Sequence, residues 1–498
     1  MNSPSIGWLK RVSLRWGVHP ESRKRPAADL PVAVLPLPAR LHLPLLQHIG
    51  APAKPVVTVG QRVRKGELIA QSQGNISAPL HAPTSGRIAA IADFPAPHPS
   101  GLSAPAITIE ADGEDRWTEL DPPADPFALP PQEVAARVAA AGVVGMGGAT
   151  FPSSVKLALG RRVAVGTLVV NGGECEPYLS CDDRLMRERA AGAVDGMRII
   201  RHAIGAREIL CGIEDNKPEA LAAMRAAAEP FAEVKIVAVP SRYPMGSDKQ
   251  LIQVLTGKEV PADGRAADVG VLVHNVGTAH AVHRAVRLGE PLVSRIVTVN
   301  GGAVAAPRNL EVPVGALLSE LVEACGGCVE APARLVMGGP MMGHPLLSLD
   351  VPVIKGTSGI LALSRAEVEQ RREAPCIRCA RCVGACPMNL LPLEMSALIR
   401  AGEAEAAVDW GLKDCIACGS CSYVCPAHIP LVHYFDHAKG ELAARERAKM
   451  KQEATRQLAE QRSLRMAREA QEKAEAAARR KAERERAKAA KVAAEAAA

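Results

Sequence analysis

Between Cys376 and Pro387 the chain reads CIRCARCVGACP, and between Cys415 and Pro426 it reads CIACGSCSYVCP. Eight of the thirteen cysteines stand in these phrases, at Cys376, Cys379, Cys382 and Cys386 and again at Cys415, Cys418, Cys421 and Cys425. Each member of the second set follows its counterpart by 39 residues, the mark of one duplicated structural unit. Three thiolates two residues apart suit three irons of a cubane, and the fourth cysteine of each phrase crosses to the other cluster. The spacing therefore assigns two 4Fe-4S clusters. One takes Cys376, Cys379, Cys382 and Cys425, and the other takes Cys415, Cys418, Cys421 and Cys386. Pro387 and Pro426 turn the chain away after each crossing ligand. Zinc also takes four thiolates, but it favours two C-x2-C pairs on separate turns, and a third cysteine at this spacing crowds a tetrahedron.

The elements that must position these thiols and load them with electrons lie around and upstream of them. Between the phrases, LPLEMSALIRAGEAEAAVDWGLKD predicts two short helices broken at Gly402, a helical variant of the two-cluster fold. From about residue 130 to 290, helical patterns alternate with short apolar runs: LVV at 168–170, EILCGI at 208–213, VKIVAV at 234–239 and VGVLVH at 269–274. That alternation predicts an α/β layer structure with ligand loops at the strand ends.

A glycine loop opens this region, and three further polar loops follow its strands. In GVVGMGGATFPSSVK, Gly145, Gly147 and Gly148 let the backbone approach a phosphate, and Lys156 adds a positive charge one short helix further on. Thr150 stands where a dinucleotide fingerprint has its third glycine, and a plain tight turn is the competing reading. VVNGGECEPYLSCDDR places Asn171, Glu174, Glu176, Asp182 and Asp183 beyond a strand, where amides and carboxylates can bond a flavin ring or a ribose hydroxyl. A solvated acidic loop would look the same. SRYPMGSDKQLI and VHNVGTAHAV repeat the pattern and bring Gly246, Ser247, Asp248, Asn275 and Thr278 to the same sheet edge.

Composition limits the rest. At 498 residues and 48% hydrophobic the chain has room for three or four domains. Its apolar stretches are broken by Arg, Lys, Gly or Pro, so no run of about 18 to 20 residues can cross a bilayer. MNSPSIGWLKRVSLRWGVHP lacks the apolar core of a signal peptide, and the expectation is a cytoplasmic protein whose thiols stay reduced unless they hold metal. The net charge of +7 is modest, and no nucleic-acid partner is inferred from it.

The order GMGGATFP, Lys156, NGGECEP, YPMGSD, HNVGTA and a doubled cysteine phrase resembles the RnfC family, one of the components of the Rnf electron-transport complex, over roughly residues 5 to 435. The middle region is similar to the NADH- and FMN-binding subunit of respiratory complex I. The resemblance implies that Gly145, Gly147, Gly148, Lys156, Asn171, Glu174, Asn275 and Thr278 surround FMN, with NADH stacking over the flavin. Where the complex I subunit has Gly-Glu-Glu, this chain has Gly246, Ser247 and Asp248, to which the resemblance gives the nicotinamide side.

It also implies a multidomain α/β architecture. An N-terminal segment (1–30) precedes a lipoyl-like β barrel-sandwich (31–112), an α/β flavin and NADH domain (128–290) and a small β-grasp module similar to SLBB domains (291–345). A helical two-cluster ferredoxin domain (366–435) follows, and beyond the resemblance the composition of residues 440–498 predicts an Ala/Glu/Lys/Arg-rich charged helix. The barrel has no lysine beside its tip at Gly74 and Asn75, so it reads as a scaffold and not a swinging arm. GVHPES, Gly17 to Ser22, resembles a family phrase without an assignable chemistry. Cys325 and Cys328 are half a metal site with no second half in the sequence, which favours a structural reading.

The function implied is electron input: NADH as substrate, FMN converting a hydride into single electrons, and two clusters carrying them onward. No acid-base catalytic residue is expected. The implied partners are the integral membrane and iron-sulfur subunits of the Rnf complex and a ferredoxin-type acceptor reached through them, in a complex that couples electron flow to ion translocation. The implied location is peripheral, on the cytoplasmic side of the inner membrane. The alternatives are a soluble flavin and iron-sulfur NADH reductase, such as a cobalamin reductase, and a non-enzymatic cluster relay.

Overall fold

The computed structural model describes residues 15–74, 76–368 and 372–496. The tip residue Asn75, residues 1–14 of the N-terminal segment and the last two residues of the tail lie outside it.

The chain enters as a strap with a turn at 25–29, whose β1 (Ala33–Val34) pairs not with its neighbours in sequence but with a strand some 275 residues later. The barrel-sandwich follows as β2 (Arg40–Pro44), β3 (Lys54–Pro55), β4 (Arg62–Val63), β5 (Leu68–Gln71), β6 (Leu80–His81), β7 (Gly86–Pro95) and β8 (Ser103–Ala111). Two sheets form, in orders β2-β8-β7-β4 and β3-β5-β6. In β8, SAPAITIEA, Ile107 and Ile109 point inward while Thr108 between them faces out, the alternation expected of a half-buried strand.

The next unit begins with α1 (Pro131–Ala140) and α2 (Ser153–Arg162). It continues through β9 (Thr167–Gly172), α3 (Cys181–Glu188), α4 (Ala190–Ile204), β10 (Glu208–Glu214), α5 (Pro218–Ala228), β11 (Val234–Val239), α6 (Asp248–Thr256), β12 (Val271–Asn275) and α7 (Val276–Arg287). The strands form one parallel sheet in the order β11-β10-β9-β12. Both faces are covered, which explains why the strands read as continuous apolar runs. Leu168 and Val170 pack against the α1, α4, α5 and α7 side, and Val169 between them packs with Leu251, Ile252 and Leu255 of α6. β12 lies beside β9, on the opposite side from β10 and β11, so the order reverses between β9 and β12. Crevices that take ligands in open α/β sheets form at such a reversal, beyond the C-terminal ends of the two strands.

A six-stranded sheet comes next, from β13 (Ser294–Asn300), β14 (Arg308–Pro313), α8 (Leu318–Ala324), β15 (Arg334–Met337), β16 (His344–Leu346) and β17 (Gly359–Leu363). Its order is β1-β14-β13-β17-β15-β16, with β1 on the edge. Its core is continuous with that of the barrel-sandwich: Leu41, Leu43, Ile107 and Ile109 share one apolar cluster with Val297, Val312 and Ile360. Cys325 is buried at the end of α8 and Cys328 is exposed.

The cysteine phrases sit in a helical module of α9 (Arg381–Ala385), α10 (Pro392–Arg400), α11 (Ala404–Asp409), α12 (Ser420–Tyr423) and the start of α13 (Leu431–Ala496). Gly402, in the left-handed region at φ +84°, separates α10 from α11. Leu431, Phe435 and Ala438 of α13 pack on Met395 and Leu412, whereas residues 446–494 are exposed. That outer part carries i,i+4 ion pairs such as Arg456–Glu460 and Arg465–Glu469. Among the described residues no helix is long and apolar enough to cross a membrane.

Candidate flavin and cluster sites

Asn171 is the penultimate residue of β9 and Asn275 ends β12, and the two are register partners across the reversal in strand order. Asn275 also caps α7: its Oδ1 accepts from the Gly277 and Thr278 amides at 2.8 and 3.3 Å, and its Nδ2 donates to Asp182 Oδ2 at 2.6 Å. Asn171 donates through Nδ2 to the Gly246 carbonyl at 2.7 Å and accepts from the Gly173 amide at 2.9 Å. The two side chains thereby order three of the four polar loops.

The glycine loop joins them. A β-bridge between Val144 and Pro152 closes its neck, and the Met146 amide donates to Thr278 Oγ1 at 2.8 Å. A Cβ on Gly147 would stand 3.2 Å from the Cβ of Asn275, so the loop lies directly against β12's end. Gly148 has φ +114° and open space where a Cβ would be. The amides of Gly147 and Gly148 donate to no protein acceptor among the described residues. Behind them α2 begins without a side-chain cap, and the Ser153 hydroxyl at its first turn is buried and unpartnered. Free amides, an uncapped helix N-terminus and an orphaned hydroxyl form the donor set that a flavin phosphate requires. Thr150, at φ +47°, holds a strained left-handed conformation at the end of this loop.

Lys156, one helical turn further on, donates to the Val273 carbonyl at 2.9 Å and so stands beneath β12. The Glu174 carboxylate accepts from the Asp182 and Asp183 amides at 2.7 and 3.1 Å and caps α3. Glu176 accepts from the Met341 and Met342 amides of the MGGPMMG turn, and burial pushes its carboxyl up to about 7. Asp182, beneath Asn275, is likewise pushed up to about 7, first by burial and then by the Glu174 charge. Asp248 is exposed at the start of α6, with Ser247 just before it.

The eight cysteines fall into the crossed sets. Cys376, Cys379, Cys382 and Cys425 line one cavity, and Cys386, Cys415, Cys418 and Cys421 line another. The duplication extends to the backbone: Arg378, Ala380 and Asn389 have positive φ, as do their counterparts Ala417, Gly419 and His428. The Arg378 and Ala417 amides each point at the sulfur two residues before, Cys376 and Cys415, at 3.4 Å. A cluster needs such donors to its sulfurs, and the cavities fit the assigned groups.

The two cavities differ in depth. Cys376 and Cys379 are exposed, whereas Cys386, Cys418 and Cys421 are buried. Burial holds the Cys386, Cys415 and Cys421 thiols above their ordinary range, so ligating a metal there must release protons. The buried set adjoins the flavin loops. The Tyr243 hydroxyl donates to the Cys418 carbonyl at 2.7 Å, and Gln250 Nε2 donates to the Pro387 carbonyl at 3.0 Å. Val18, Tyr243, Ala385 and Cys418 form one buried apolar cluster, with Cys175 and Met341 against it. Tyr243 opens YPMGSD and Gln250 follows it by two residues, but only their burial, not their spacing, marks them.

Comparison with known proteins matches this layout piece by piece. Residues 12–114 match the RnfC barrel sandwich hybrid domain, 138–284 the Nuo51 FMN-binding domain, 296–345 the SLBB domain and 369–426 a 4Fe-4S dicluster domain. The C component of the ion-translocating oxidoreductase complex of Rhodobacter capsulatus is 51% identical over 457 residues, covering 90% of this chain and 88% of the relative. Its Pseudomonas aeruginosa namesake is 48% identical over 458 residues, 91% of this chain and 59% of the longer relative. The C component of the proton-translocating ferredoxin:NAD(+) oxidoreductase complex of Clostridium ljungdahlii is 44% identical over 442 residues, 88% of this chain and 96% of the relative. Identity at this level over about nine-tenths of the chain means that it belongs to the RnfC family of ion-translocating oxidoreductase complexes.

Proposed function

We propose that this chain is the electron-input subunit of a membrane-associated, ion-translocating complex, and that it takes electrons from NADH through FMN to two 4Fe-4S clusters. Bound FMN supplies a two-electron acceptor that releases electrons singly, and the clusters supply one-electron carriers. The observation that carries the reading is the direct bonding of the buried cysteine cavity to the flavin-side loops through Tyr243 and Gln250.

The chain's own residues have positional tasks. Gly147, Gly148 and the start of α2 seat a phosphate, with Lys156 adding positive charge beneath β12. Asn171, Asn275 and Thr278 fix the loops around the crevice, while Glu174 secures α3. Gly246 and Asp248 face the side assigned to the nicotinamide. Cys386, Cys415, Cys418 and Cys421 hold the cluster nearer the flavin. Cys376, Cys379, Cys382 and Cys425 hold the outer cluster, whose exposed edge is where electrons leave for the next carrier. That order follows from burial and adjacency.

The finer assignments belong to the same proposal. The domains run 31–112, 128–290, 291–345 and 366–435, with residues 440–498 as a solvated charged arm of no catalytic role. The chain sits peripherally on the cytoplasmic side of the inner membrane, held by integral and iron-sulfur partner subunits, and reaches a ferredoxin-type acceptor through them.

Quantifying flavin, iron and sulfide in the anaerobically purified chain tests the cofactor set. The expected content is one FMN and two four-iron clusters per chain. Clusters without flavin would reduce the chain to a relay and refute the glycine-loop assignment.

A further inference from the structure

The strap that enters the fold carries a lysine to the loop after β9. Lys24 Nζ donates to the carbonyls of Glu174 and Glu176 at 2.8 and 3.0 Å and to that of Leu179. Its ammonium is out of solvent although the residue as a whole is partly exposed. Burial, and then the Lys217 charge, pull its pKa below the ordinary lysine range. The carbonyls oppose them: three acceptors require three N–H donors, which a lysine has only when it is charged. The contacts bridge about 150 residues of sequence, so they fix the loop after β9 from outside its own domain.

Two features separate Lys24 from an ordinary buried lysine. Lys217 grips the same loop from the other side, donating to the Gly173 carbonyl at 2.6 Å, but it is neutralised by Glu214 at 2.9 Å. Lys24 has no carboxylate within ion-pair distance among the described residues. Its charge is held by the three backbone carbonyls and, from beyond ion-pair distance, by the Glu174 and Glu214 charges, in a region of low dielectric where it acts over a longer range than in water.

The strap is also fastened along its length. Val18 and Tyr243 exchange amide–carbonyl bonds at 2.9 and 3.0 Å, the Gly17 amide donates to Ala385 of the cluster module at 3.1 Å, and the Tyr178 amide donates to Ser22 at 2.7 Å. Asn300 and Asn309 of the β-grasp sheet bond the Arg23 and Ala27 carbonyls. Lys24 is therefore delivered to a fixed place, with the otherwise unassigned phrase GVHPES as its mount.

We propose that Lys24 is a positioning residue of the flavin site: it fixes the backbone of Glu174 to Leu179 and, as a buried cation without a paired carboxylate, raises the midpoint potential of the flavin bound beside that loop. The potential half of this rests on the flavin reading above. The loop half does not.

The test uses the full chain, with wild type, Lys24→Met and Lys24→Gln compared. Spectroelectrochemical titration of the bound flavin is expected to give a more negative midpoint in both neutral variants, with the cluster signals unmoved. Amide hydrogen exchange is expected to quicken at least tenfold across 173–179 and not in the strands beyond β9. Equal flavin potentials in wild type and either soluble variant overturn the electrostatic role, and unchanged exchange overturns the positioning role. If the wild-type chain holds no flavin, the functional reading fails, and exchange in the flavin-free chain still decides whether Lys24 fixes the loop.

Discussion

Asn171 and Asn275 stand side by side on adjacent parallel strands, and each spends its side-chain amide on ordering a neighbouring loop. Because Asn275 both caps α7 and bonds Asp182, Asn275→Ala removes a cap and strips a buried carboxyl of its donor. Loss of such a cap costs about 1–2 kcal/mol, so the flavin domain should melt a few degrees lower and retain less flavin. Thermal melts with flavin quantification check this, and a variant with the parent's melting point and full flavin contradicts it.

Gly148→Ala should act more selectively. The added Cβ meets nothing within 4 Å, so the only folded-state cost is the backbone at φ +114°, about 1–2 kcal/mol for a residue with a side chain. The predicted outcome is weakened flavin binding, roughly tenfold, with iron content unchanged. Iron and flavin lost together would mean that the loop supports the fold as a whole.

The crossed ligand sets make the two crossing cysteines distinguishable. Cys425→Ser should remove the exposed cluster and leave the buried one reducible by NADH. Cys386→Ser should remove the buried cluster and cut NADH off from the other. Each should lose about half the iron, which EPR after NADH or dithionite addition resolves. Equal behaviour of the two variants toward NADH would contradict the inferred order.

Lys355 predicts a pH signature. It is 1% exposed and donates to the carbonyls of Pro79 and Gly142, two acceptors that a neutral amine can satisfy, and burial lowers it to about 7. Between about 7 and 10.5 the unfolded chain then binds more protons at this site than the folded chain. The penalty is full below about 7 and is relieved as pH rises through that window. Relative to Lys355→Met, the wild type should gain up to about 1.4 kcal/mol per pH unit there. Denaturant unfolding at pH 7, 8.5 and 10 reads the difference, and parallel curves contradict it.

What could be read from the sequence was what is local. The cysteine spacing carries its own geometry, and the runs at 168–170, 208–213, 234–239 and 269–274 fall within β9, β10, β11 and the stretch ending in β12 because a twice-covered parallel strand must be apolar throughout. The meeting of Asn171, Gly246 and Asn275 followed from placing each in a loop beyond a strand, and Gly147 joins them from the loop between α1 and α2. What could not be read depends on partners far along the chain. Lys24 finds its carbonyls about 150 residues away, Tyr243 finds Cys418 after 175, and β1 joins a sheet begun near residue 294. That Glu174 caps α3 could not be read either, because a carboxylate in a polar loop has the same signature whatever it bonds. Continuity between the barrel and β-grasp cores likewise has no periodic trace, since each strand only records that one of its faces is buried.

The account turns on one polypeptide holding a continuous path from NADH to the outer cysteines. The most direct test is the anaerobic visible spectrum of the cofactor-loaded chain before and after NADH. The prediction is bleaching of the flavin band together with the cluster band. A chain whose clusters reduce with dithionite but whose flavin and clusters ignore NADH would contradict it.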